Sequence, residues 1–251
     1  MILDNIGFSR ANELKEDLDI PGNIATDLNY IAERLTIKVI HKNLGEGIEG
    51  ACKSNGIKRL VFLKPNQSYL QKERFTLSHE IGHLLIHHCF HLCRKEYFNT
   101  YKTQNDKEQE ANDFAVELLL PRREMLDILR HKDLTFEVIK KVASQYNTSF
   151  SVAAIQLTKL FNDNAALIWH DGQRITWKVL SSCCFLRISN AISPYVLAHK
   201  TSAERRDVTG KIHSQHWIDN DDSDLICEEE THYFVNLKYY LTILKFYKED
   251  Y

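Results

Sequence analysis

Two spacings of apolar residues divide this chain. Residues 9–35 carry helical periodicity interrupted by Asp19-Ile20-Pro21-Gly22, which predicts a short helix and then a longer one ending near Leu35. Residues 36–40 and 57–63 are short β-branched and aliphatic runs that read as strands. Ser54-Asn55-Gly56 is a hairpin turn signal, so residues 48–53 are expected to pair with 57–63. From Phe75 to Ile86 runs a stretch rich in Leu, Ile and Phe, with no proline between Glu73 and His88, which predicts a helix buried against that sheet. Residues 107–120 predict another helix, stopped before Pro121. Further helices are expected at about 122–131, 134–146 and 151–161.

The pattern changes at Asn162-Asp163-Asn164. Strands are expected at 165–170 and 174–180, joined through Asp171-Gly172, and again at 225–227, 231–235 and 239–246. Helices are expected near 183–191 and 202–208. The chain therefore reads as two domains, 1–162 and 163–251. The first has a core at about 36–121 and a helical extension at about 122–161.

The buried helix carries His79-Glu80-Ile81-Gly82-His83, an HExxH motif. On a helix His79 and His83 are i and i+4 and share one face, so both rings can reach one metal ion. Glu80 sits one step round, where it can take a proton from an activated water. Metal-assisted hydrolysis is the chemistry this pattern predicts, against the plainer reading of a buried helix with two hydrogen-bonded histidines.

Zinc hydrolases usually add a third protein ligand. In the 107–120 helix, Glu108, Ala111, Asn112, Ala115 and Leu119 form one stripe, and the alanines favour close packing on the HExxH helix. Glu110, Asp113 and Glu117 form another, expected to be solvated. Glu108 is thus the favoured third ligand and Glu110 the fallback. Asn112, one turn beyond Glu108, is placed to orient a ligand imidazole, or simply to pack between helices. His₂Glu suits Zn²⁺ best and tolerates Mn²⁺.

The run from Arg74 to Leu85, followed by Glu108-x-x-Ala111-Asn112-x-x-Ala115-x-x-Leu118-Leu119-Leu120-Pro121, resembles the ImmA/IrrE metallopeptidases. The similarity covers roughly residues 25–160. It implies an α+β fold: a minimal zincin-like metallopeptidase domain with a helical extension, followed by a smaller mixed α/β, GAF-like domain. It implies ligands at His79, His83 and Glu108 and a catalytic glutamate at Glu80. It also implies a protein substrate, a helix-turn-helix repressor whose cleavage releases a stress, defence or mobile-element operon. The competing reading is a non-catalytic regulatory protein that binds a repressor or DNA and carries a structural metal.

Charge and cysteine usage trim the remaining options. The formal net charge of −2 gives no global attraction to nucleic acid. The helices at 134–161, joined by Tyr146-Asn147-Thr148-Ser149, resemble a helix-turn-helix. However, residues 133–161 carry three lysines (140, 141, 159) against Asp133 and Glu137, which favours core support over direct nucleic-acid binding. The start is too polar for a secretory signal, no run is long enough to span a membrane, and the six cysteines show no disulfide framework, so a cytoplasmic setting is expected. His87-His88-Cys89-Phe90-His91-Leu92-Cys93 clusters metal-binding side chains. Cys89 or Cys93 could occupy the open zinc position as a latency ligand, while an ordinary helix end is the favoured reading. Tyr97 and Tyr101 are candidates for oxyanion stabilisation. Residues 163–251 are expected either to sense a small-molecule or other activator or to serve as a stability or docking module; no ligand motif is found there.

Overall fold

A computed structural model describes residues 6–22, 25–65, 69–88, 91–94 (backbone only), 106–202, 205–219 and 225–248. The chain divides into two compact units, Met1–Met125 with Lys141–Ala153, and Leu126–Lys140 with Ala154–Tyr251. No helix among the described residues is long and apolar enough to cross a membrane.

The first unit opens with α1 (Ile6–Asp17) and α2 (Leu28–Arg34). Asp27 caps α2 by accepting from the backbone N–H of Asn29 and Tyr30 at 2.9 and 3.1 Å. Strands β1 (Ile37–His41), β2 (Ile48–Ser54), β3 (Arg59–Leu63) and β4 (His91–Arg94) form a sheet in the order β1-β3-β2-β4. The β2–β3 hairpin turns through Asn55, whose Oδ1 accepts from Ile57 and Lys58. β1 runs parallel to β3, so the sheet is mixed, with β1 and β4 at its edges.

Helix α3 (Leu70–Ile86) packs on β2 and β3. Every residue from Thr76 to Leu85 is buried, because α1, α2, the sheet and α4 (Asp106–Leu119) enclose it. Ile31, Val61, Leu63, Ile81, Leu84, Phe114 and Leu118 form the core of this unit. A core of this kind supplies roughly 1.5–3 kcal/mol per buried side chain, enough to offset the burial of a polar helix face. Helices α5 (Arg122–His131), α6 (Phe136–Gln145) and α7 (Phe150–Leu160) follow, close to the expected ranges.

One expectation fails in α4. Glu110, Asp113 and Glu117 were read as a solvated stripe, yet Asp113 and Glu117 are buried. The cause is α1, which lies across this face. A Cβ on Gly7 would collide with the carbonyl oxygen of Glu110 and stand 2.8 Å from the Phe114 nitrogen, so glycine there permits backbone-close packing.

The second unit is a five-stranded antiparallel sheet: β5 (Ala165–His170), β6 (Ile175–Leu180), β7 (Asp207–His213), β8 (Leu225–Phe234) and β9 (Tyr239–Lys248), in the order β6-β5-β9-β8-β7. Its core gathers Ala166, Ile168, Trp217, Cys227, Leu244 and Phe246. The mixed α/β expectation needs correction here. Among the described residues no α-helix forms at 183–191 or 202–208. The first stretch is irregular, held by isolated bridges from Ala191 to Arg174 and from Ile188 to Ile218. The second ends in the start of β7, where Val208 is buried between exposed Asp207 and Thr209. The two strands expected at 225–227 and 231–235 are one. Glu228-Glu229-Glu230 does not break β8, because Glu229 faces inward while its neighbours face outward.

Candidate metal centre

The HExxH segment is helical, so His79 and His83 stand one turn apart. Their Nε2 atoms are 3.0 Å from each other. Glu108 enters from the first turn of α4. Its Oε2 lies 3.2 Å from His79 Nε2 and its Oε1 lies 3.6 Å from His83 Nε2. All three side chains are fully buried. The close approach of α3 and α4 depends on Gly82: a Cβ there would stand 2.9 Å from Phe114 Cδ1. The alanine stripe of α4 is buried on the same interface.

The arrangement fits a cation. One ligand atom from each residue lies within 4.8 Å of the others. Tetrahedral bonds of about 2.05 Å place neighbouring ligand atoms about 3.3 Å apart; His79 Nε2 lies 3.0 Å from His83 Nε2 and 3.2 Å from Glu108 Oε2, near that spacing, with the other carboxylate oxygen 3.6 Å from His83 Nε2. Asn112 Oδ1 lies 2.9 Å from His79 Nδ1. An amide oxygen only accepts, so Nδ1 carries the proton and Nε2 turns a lone pair into the cluster. The triad can therefore hold a metal ion.

Glu80 is buried beside these residues, between α3 and β2. A Cβ on Gly50 would collide with Glu80 Oε1 and stand 2.7 Å from Thr76 Cγ2. The glycine thus leaves room for the carboxylate.

The profile of the IrrE N-terminal-like domain, peptidase family M78, matches residues 32–158, just over half of the chain. The chain belongs to this family. Among solved structures it is similar to a Mycobacterium tuberculosis transcriptional regulator, with a TM-score of 0.57 and 11% sequence identity over 95% of this chain and 75% of that one. At that identity the likeness is one of fold. No curated protein matches the sequence.

The M78 match begins ahead of β1 and runs through α6 into α7, so the helix-turn-helix-like segment lies mostly within the family domain. Glu110, the fallback ligand, is not one of the converging groups. Its Oε2 instead meets His87 Nε2 at 2.8 Å, and His87 Nδ1 meets His83 Nδ1 at 2.9 Å. In the sequence His87 opens the histidine- and cysteine-rich run that ends the helix. The signal was there: His79, His83 and His87 recur every fourth residue, which keeps all three on one helical face. Cys89, the Cys93 side chain, Tyr97 and Tyr101 lie outside the described residues, and so do the latency and oxyanion assignments that rest on them.

Proposed function

We propose that this M78 chain is a zinc-dependent endopeptidase that cleaves a helix-turn-helix repressor. The observation that carries the reading is the buried convergence of His79, His83 and Glu108 on one another, with Glu80 beside them. His79, His83 and Glu108 hold the ion, Zn²⁺ first and Mn²⁺ as the alternative. When bound, the ion polarises the scissile carbonyl and makes water a competent nucleophile near neutral pH. Glu80 accepts the proton of the attacking water and delivers it to the leaving amine. Asn112 holds the His79 ring through Nδ1.

The edge strand β4 pairs with β2, the strand that carries Gly50 against Glu80. An extended substrate segment added to that edge would run along the Glu80 side of the sheet. The repressor and a sensing or docking role for residues 163–251 rest on family resemblance.

The test is incubation of zinc-loaded protein with the repressor encoded beside it, read by intact mass. Discrete fragments from wild type and none from zinc-retaining Glu80→Gln are expected. Stoichiometric complex formation without fragments would favour a regulatory binding protein instead.

A further inference from the structure

We propose that His87 and Glu110 form a positioning pair that fixes the ring of His83 and sets how tightly the cluster holds its metal. The inference rests on the metal reading above and goes beyond it, since neither residue belongs to the converging triad.

The argument begins with protons. If His83 presents the Nε2 lone pair to a metal, its hydrogen sits on Nδ1. That N–H has His87 Nδ1 as a partner at 2.9 Å. His87 Nδ1 must then accept, which places the His87 hydrogen on Nε2. His87 Nε2 lies 2.8 Å from Glu110 Oε2, and a carboxylate oxygen accepts. The chain of donors is therefore consistent along its whole length: His83 donates to His87, and His87 donates to Glu110. With both rings neutral and His83 Nε2 turned to a metal, reversing either link places two hydrogens, or two lone pairs, face to face.

The local structure supports this arrangement. His87 is the C-cap of α3, and its backbone N–H donates to the carbonyl of His83 at 3.0 Å. Backbone and ring thus both tie His87 to the same residue one turn back. The His87 side chain is 7% exposed and Glu110 is 33% exposed, so the carboxylate sits at the wet end and the imidazole at the dry end. The two histidines of the triad are consequently held by different chemistry. His79 is held by a neutral amide, Asn112, and His83 by an imidazole backed by a carboxylate. Outer partners of this kind hold ring orientation and raise ligand basicity, and their loss typically costs ten- to a hundredfold in metal affinity.

The test measures zinc affinity by competition against a chromogenic chelator on the full chain, together with the melting temperature of each apo protein. His87→Leu removes the acceptor and is expected to weaken zinc binding about ten- to a hundredfold. Glu110→Gln is expected to weaken it less. In the His87→Leu background, Glu110→Gln is expected to add nothing, because the two act as one unit. His87→Asn is the rescue variant: its Oδ1 replaces the Nδ1 acceptor at the same distance along the side chain, as Asn112 does for His79. It is expected to recover most of the affinity and to abolish the Glu110 effect. Long-range nitrogen–proton NMR of the zinc form should show His83 protonated at Nδ1 in wild type. A helix-end tie without a role at the metal would lower the apo melting temperature and leave zinc affinity within twofold of wild type, and that result would overturn the proposal. A wild type that binds no zinc overturns the metal reading itself, and this inference with it.

Discussion

Each unit of this protein buries a polar cluster built around histidine, and the two clusters are wired in opposite ways. In the second unit the wiring is closed. The Gly172 N–H donates to His170 Nδ1, so His170 Nε2–H donates to Thr242 Oγ1 at 3.0 Å. Thr231 gives its one hydrogen to Glu229, so Thr242 donates to Thr231 at 2.8 Å. Glu229 also accepts from Leu197 N, Ala198 N and Trp217 Nε1. Donors and acceptors alternate from a backbone amide to a carboxylate. In the first unit the cluster is open rather than chained: one ligand atom each from His79, His83 and Glu108 lies within 4.8 Å of the others in a fully buried space. A closed chain satisfies itself, whereas ligand atoms converging at metal-ligand spacing suit a cation. Burial of polar groups does not separate the two cases; convergence on one point, against a chain of donors ending on a carboxylate, does.

The largest effect expected from this contrast is at Glu80. Glu80→Gln should cut cleavage by about 10²–10⁴-fold, the range for a lost general base, and leave zinc content unchanged. Retained activity would show that the open cluster does not work through this carboxylate. The closed cluster should answer in stability instead. Glu229→Ala strands the N–H groups of Leu197, Ala198 and Trp217 in a dry core and should cost about 3 kcal/mol by denaturant unfolding. A cost below about 0.5 kcal/mol would mean that water or side-chain movement replaces the carboxylate, and the closed-chain account would fail. Added zinc should still raise the melting temperature of this variant, since the ion stabilises only what binds it.

A smaller change should reach the open cluster without touching any of its groups. Gly50→Ala places a methyl against Glu80 Oε1 and Thr76 Cγ2, so the carboxylate must move. A displacement of about 1 Å at a reacting group costs on the order of a hundredfold in rate. The expectation is therefore a lower kcat with zinc affinity near wild type. Equal losses in both would indicate that β2 shifts α3 as a whole.

How much of this was legible in the sequence differs between the clusters for the same physical reason. The side chains of the first unit's cluster come from two amphipathic helices, where a spacing of four residues fixes a shared face. His79, His83 and the Glu108–Asn112 stripe could thus be read directly. His87 obeys the same spacing and was hidden only by the cysteines and histidines that follow it. The second unit's network joins positions on β5, β8 and β9, and strand register is set by pairing partners far away in sequence. Glu229 illustrates the difficulty: three consecutive glutamates look solvated until alternation places the middle one inside. Asp113 and Glu117 were misread for a related reason, since nothing in α4 announces that α1 will cover them.

Two buried groups, His170 and Glu117, contribute to the pH dependence of stability with opposite sign. Burial pulls the His170 pKa down to about 4 from an ordinary 6.5. As pH falls below 6.5 the unfolded chain takes up a proton that the folded one refuses, so this histidine lowers stability toward acid. Burial pushes the Glu117 carboxyl up to about 7, against the Arg122 backbone N–H, Lys15, Arg122 and Asn12. Between pH 4.5 and 7 the folded chain keeps a proton that the unfolded one has released, so this glutamate lowers stability as pH rises. Over pH 5 to 7 each contribution changes by about 2 kcal/mol, and the two nearly cancel in wild type. Glu117→Gln removes one of them. Relative to wild type, that variant should gain about 1–2 kcal/mol at pH 7 over its standing at pH 5, read from denaturant midpoints. A pH-independent difference would mean that Glu117 ionises normally despite its burial.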